Sequence, residues 1–325
     1  MPIIREPGEF IEHVHLIDLN QYGMNKITSS YLLHYNSFTF IFDCGTSDDY
    51  RKVLSYMKKH NISKQSVKFL ILTHHHFDHA GGTWKLLEKL VKYSQNIKVI
   101  ATRSQKKKMQ ESEKHLVAAA STYGDFVGKM EPISDEYFEI VEPDRKIPLD
   151  DKRIFELMLV SSPGHTTDHV SPTIFKDHQP YFSYFGEAAG TLFNEKELLT
   201  LPTSMPVEFD YNTYMQSLKK IQSMGVMNAG YCHYGAITTP KDVSTILEDQ
   251  IAFVPVFREF IKTNYEKYKS TKTVVENTIK ELFLKRSTFH RTENIKEEYK
   301  GISTRNALAL VYGMLVDLGY KKNKY

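Results

Sequence analysis

The segment Leu72-Thr73-His74-His75-His76-Phe77-Asp78-His79-Ala80-Gly81-Gly82 restricts what this chain can become more than any other feature of it. It ends a short apolar run, Val67 to Leu72, that reads as a buried strand. Side chains alternate along an extended segment, so His74 and His76 point the same way and can share one metal ion, whereas His75 points away from it. Asp78 and His79 can then serve a second ion. Imidazole and carboxylate donors suit zinc or iron, and Gly81-Gly82 allows a tight turn into the next helix. Even with 14 histidines in the chain, chance rarely places such donors at a strand end beside Asp and Gly-Gly.

Around this cluster the pattern alternates. His13 to Leu19 reads as a strand, and Tyr31 to Phe42 as a hairpin turning near Asn36-Ser37. Val53, Leu54 and Met57 predict a helix between Ser47 and His60, and a second helix follows from Trp84 to Val91. Strands at Ile97 to Ala101 and Ile154 to Val160, and a paired stretch from Val170 to Tyr184, continue the mixed order. Tyr214, Leu218 and Ile221 mark a helix ended by Gly225. Such an order predicts sheets covered by helices.

Beyond Pro240 the periodicity is helical. Val275, Ile279 and Leu282 form one stripe; Leu308, Val311, Leu315 and Leu318 form another, capped by Ser303 or Thr304 and stopped by Gly319. Pro255 is expected to kink or interrupt the first of these helices. With no linker or repeat, the chain divides into residues 1–240, which carry the chemistry, and a helical extension, 241–325, that packs on them.

Composition excludes more than it identifies. Hydrophobic residues at 41% and charged residues at 25% are ordinary for a globular protein. No run approaches the ~18 apolar residues of a spanning helix. The start, Met1-Pro2-Ile3-Ile4-Arg5, lacks a signal-peptide core, so the expected location is the cytoplasm, with no membrane partner. Cys44 and Cys232 are too few for a disulfide framework and read as buried thiols. A net charge of +3, from 42 basic and 39 acidic residues, gives no broad field for nucleic acid. Lys106-Lys107-Lys108, close to Glu111 and Glu113, reads as a solvated helix face.

At His74 to His79 the sequence resembles the metallo-β-lactamase superfamily, whose signature is H-x-H-x-D-H, and His76 to Gly82 is especially similar to its quorum-lactone lactonase branch. Ser162-Pro163-Gly164-His165-Thr166-Thr167-Asp168-His169 resembles the P-G-H-T segment, and Gly186-Glu187 stands where Gly-Asp is usual. Phe42-Asp43-Cys44-Gly45 resembles the D-x-G turn, and Cys232-His233-Tyr234-Gly235 the terminal histidine motif.

The resemblance implies an α/β fold, a four-layer αββα sandwich with the helical extension added, and a site at one edge between the sheets. His74, His76 and His165 would hold one ion and Asp78, His79 and His233 another, with Glu187 bridging in place of the usual Asp. Asp78 counts also among the catalytic groups. Asp43 either orients a ligand histidine or is a turn carboxylate, and His169 either lines the substrate pocket or steadies its loop. The implied cofactors are two divalent metal ions, zinc first, with iron or manganese as alternatives. The implied activity is hydrolysis of an ester-like bond (lactone, thioester or phosphodiester) in a small molecule by a metal-bound hydroxide. An anionic bridge offsets the repulsion between two ions, and a bound water has its pKa lowered toward ~7. The same fold supports an iron-dependent oxidoreductase of the persulfide dioxygenase kind. It also supports RNA-processing nucleases, which the near-neutral charge disfavours. Glyoxalase II shares a helical tail, but its terminal histidine segment differs from Cys232 to Gly235, which counts against glutathione thioesters. A small-molecule substrate is the expected partner, and a homodimer is left open.

Overall fold

A computed structural model describes residues 2–150, 154–287 and 301–322. The first sheet takes its strands in chain order: β1 (Gly8–Ile11), β2 (Val14–Asp18), β3 (Ser29–Tyr35), β4 (Phe38–Phe42), β5 (Val67–Ile71), β6 (Lys98–Ala101) and β7 (Phe138–Ile140). Strands β1 to β4 pair antiparallel, with β3 and β4 joined across Asn36-Ser37. From β4 to β7 the pairing is parallel, which demands crossovers. Helices α1 (Tyr50–Lys59), α2 (Thr83–Leu90), α3 (Arg103–Gln110) and α4 (Glu113–Tyr123) lie in those crossovers.

The second sheet contains β8 (Lys146–Pro148), β9 (Phe155–Ser161), β10 (Val170–Lys176), β11 (Gln179–Tyr184), β12 (Ala229–Tyr231) and β13 (Gly235–Ile237). Its one parallel pair, β11 with β12, is bridged by α5 (Tyr211–Ser223). Period-two alternation assigns each strand two faces. Tyr31, Leu33, Phe40 and Phe42 meet Leu157, Ile174, Phe182 and Tyr184 between the sheets. Leu32 and Ile41 turn the other way, onto Val53 and Met57 of α1 and Leu86 of α2. The result is the expected αββα sandwich.

The tail consists of α6 (Pro240–Tyr268), α7 (Thr271–Thr278), α8 (Leu284–Arg286) and α9 (Ile302–Asp317). It shares one apolar cluster with the second sheet's outer face, where Phe185 and Tyr231 meet Leu218 of α5, Phe257 of α6 and Met314 of α9. Pro255 lies inside α6, which runs on past it without interruption. Two expectations about the tail are corrected. Helix α9 begins after Gly301, so Ser303 and Thr304 fall within its first turn instead of capping it. Leu308 is 42% exposed, and Ala307, Leu310 and Met314 take the buried face. Among the described residues no helix is long and apolar enough to cross a membrane.

Candidate metal centre

Both sheets end their strands at the same edge of the sandwich. From the first, the loop after β5 supplies His74, His76, Asp78 and His79; from the second come His165 before β10, Glu187 after β11 and His233 between β12 and β13. Gly82 brings the first loop against its neighbour, since a Cβ there would stand 2.7 Å from the Cys44 carbonyl. Gly186, at φ +57°, turns Glu187 inward, and a Cβ on it would stand 2.7 Å from His169 Nε2.

Glu187 is the point of convergence. Its Oε2 lies 2.6 Å from His165 Nε2, 3.4 Å from His74 Nε2 and 3.6 Å from His79 Nε2, while Oε1 is 3.9 Å from His233 Nε2. His76 joins through Nδ1, 3.1 Å from His165 Nε2. Asp78 Oδ2 sits 3.5 Å from His79 Nε2 and 3.6 Å from His233 Nε2. Thus all seven expected residues come together. They form one group of His74, His76, His165 and Glu187, and a second of Asp78, His79 and His233.

Four of these rings commit their outer nitrogen elsewhere, which turns the inner nitrogen of each toward the centre. His165 Nδ1 donates to the Thr203 carbonyl at 2.7 Å, and His233 Nδ1 to the Ile27 carbonyl at 3.2 Å. His79 Nδ1 donates to Asp43 Oδ2 at 3.2 Å. His74 Nδ1 lies 3.0 Å from the Thr73 hydroxyl, which itself donates to Asp43. Asp43 therefore orients ligand-type histidines and is more than a turn residue. His74 Nε2 and His79 Nε2 are buried with no hydrogen-bond partner, although such atoms are ordinarily satisfied. Burial pushes the His74 and His76 rings well below the usual range. Burial alone would raise the Glu187 carboxyl, but His165, then His74 and His79, hold it well below the usual range. Five inward nitrogens, two of them buried without a hydrogen-bond partner, and two carboxylates fit a site for cations.

The profile of the Metallo-beta-lactamase superfamily matches residues 24–178, the stretch holding His74 to His79 and His165. That stretch has the sequence of a metallo-beta-lactamase superfamily domain. The chain is 28% identical over 244 residues to a metallo-beta-lactamase fold-containing protein of Sulfurisphaera tokodaii, covering 74% of this chain and 84% of the relative. The solved structure of that archaeal protein superposes with a TM-score of 0.61 at 22% identity, covering 94% and 98% of the two chains. A hydroxyacylglutathione hydrolase of Pelagibacter ubique is 24% identical over 257 residues, 77% of this chain and 86% of the relative. A metallo-beta-lactamase family protein of Thermus thermophilus has the same fold, with a TM-score of 0.62, 16% identity and 95% coverage of both chains.

Of the neighbours of the centre, Lys108 departs from the sequence reading, whereas His169, His75 and Cys232 take positions it allowed. His169 steadies the loop: its Nδ1 meets the Ser162 hydroxyl at 2.9 Å and its Nε2 accepts from the Glu187 backbone at 3.1 Å. His75 turns from Glu187 to Asp168, 2.9 Å from Nδ1, yet still lines the cavity that opens over the centre. Lys108 is no solvated residue. It pairs with Asp168 and Glu208 and donates to the Thr167 hydroxyl at 2.7 Å. Asp168 and His75 are 93 positions apart, and nothing local in sequence pairs them. Cys232 donates from Sγ to the Gly186 carbonyl at 3.1 Å, and burial holds its thiol well above the usual range.

Proposed function

We propose that this chain is a hydrolase dependent on two divalent metal ions, zinc in the first instance, acting on an ester-like bond of a small molecule. The observation that carries this reading is the convergence of two ligand groups on the Glu187 carboxylate. His74, His76 and His165 would hold one ion; Asp78, His79 and His233 would hold the other, with Glu187 between them. Bound there, such ions supply an activated water and polarise an acyl or phosphoryl oxygen.

The chain's own residues do the rest. Glu187 offsets the like charges, and Asp43, Thr203 and Ile27 fix the rings through their outer nitrogens. Asp78 and Glu187 both line the cavity, and Asp78, with its side chain 19% exposed against 4% for Glu187, is the more open of the two and is placed to orient water there. The cavity, about 380 Å³, suits a small molecule. Likeness to a hydroxyacylglutathione hydrolase adds support for hydrolytic chemistry.

Elemental analysis of the purified protein tests the proposal, with about two zinc equivalents per chain expected, alongside a screen of lactones, thioesters and phosphodiesters. His76→Ala should release most of the metal. Protein that is metal-free and takes up no zinc on titration would overturn the reading. Selective iron loading with oxygen consumption would replace it with the oxidoreductase.

A further inference from the structure

The chamber above the centre is not made by the sandwich alone. One wall is α4, whose residues His115, Ala118, Ala119, Thr122 and Tyr123 line it at helical spacing. The opposite wall is α9, from the tail, through Ile302, Asn306, Ala309 and Leu310, again one helical face. Tyr22, Phe77 and Phe193 also line it. The facing stripes carry three alanines, so the helices stand together with room between them. Helix α4 has no fully buried residue: it packs on the core through Leu116, Ala119 and Tyr123 and faces this chamber beside them.

Two polar groups of the lining are already paired. Lys108 pairs with Asp168 and Glu208, and the Tyr123 hydroxyl donates to Asn306 Oδ1 at 3.4 Å. Glu111 and Lys114, the remaining charges of the wall, stand exposed. A ligand with its own charge in the apolar part would have no counter-ion there and would lose its hydration. An uncharged chain would gain from every methylene removed from water.

We propose that the chamber between α4 and α9 binds an uncharged alkyl chain, so that the bond cleaved at the centre belongs to an ester or thioester of an aliphatic acyl group. The second half rests on the hydrolase reading; the first does not. Calorimetric titration of the purified protein with n-alkanols from ethanol to decanol tests the chamber by itself. Affinity should rise about fourfold per added methylene until the chamber is full. In parallel, the zinc-loaded protein is assayed on p-nitrophenyl esters from acetate to dodecanoate, where kcat/KM should climb along the same series. Ala119→Phe and Ala309→Phe, on opposite walls, should each move both plateaus to shorter chains, with thermal melting confirming that the variants fold. Leu308→Ala, on the exposed face of α9, should leave both series unchanged. Alkanol affinity independent of length would overturn the proposal, even if esters are cleaved. Graded alkanol binding without cleavage of any ester in the series would support the chamber and overturn the acyl-ester half of the proposal.

Discussion

Asp43 gathers the Thr73 amide, the Thr73 hydroxyl, the Tyr184 hydroxyl and the His79 ring onto one carboxylate. Its φ of 50° is tolerated by Asn as well as Asp, so Asp43→Asn keeps the turn and removes the charge. Zinc affinity at the Asp78, His79 and His233 group should then fall ~10–100-fold, read by chelator competition; an unchanged affinity would reduce Asp43 to a turn residue. Glu187→Gln should cost about one metal equivalent, since the histidines of the first group remain; both metals retained with unchanged activity would show that the bridging charge is dispensable. The candidate ligands were legible because their spacing is local or follows a motif. Tyr184 lies 141 positions from Asp43, and Asp168 lies 93 from His75. Such pairings arise from topology, so no window along the chain displays them.

Long elements with a clear period were readable; short or evenly apolar ones were not. Strands β7 and β8 have three residues each, too few to show alternation. Helix α9 is apolar around most of its circumference, so its stripe could be drawn through exposed Leu308 as easily as through buried Leu310. Packing decides that element. Gly313 lies so close to the 204–206 loop that a Cβ would stand 2.0 Å from the Ser204 carbonyl. Gly313→Ala should therefore destabilise the protein by ~1–3 kcal/mol, seen as an earlier denaturant midpoint; a midpoint at the wild-type value would mean that α9 shifts freely.

For the molecule as a unit, we propose the division at residue 240 as one of sequence role, not of independent folding. A chain ending at Thr239 would strip the second sheet's outer face of α6 and α9 and should be insoluble; a soluble, active product would show the tail to be a separate module. Acid should weaken the whole fold as well. Burial lowers the His15 ring from 6.5 to about 4, so between those values the unfolded chain binds a proton that the folded one refuses, and stability falls as pH falls. His15→Phe should narrow the gap between urea midpoints measured at neutrality and at about pH 5; an unaltered gap would show that His15 is not responsible.

The seven converging residues are divided between the two sheets, His74 to His79 on one and His165, Glu187 and His233 on the other. Any ion they hold adds a further tie between layers already joined by packing and by hydrogen bonds such as Tyr184 to Asp43, and binding energy becomes resistance to unfolding. At a free-ion concentration a hundred times the dissociation constant, that linkage is worth about 2.7 kcal/mol. Chelation should thus lower the melting temperature of the whole sandwich, and the melt should shift with zinc concentration; a melt indifferent to zinc would mean that the ions do not bind the folded state in preference to the unfolded one.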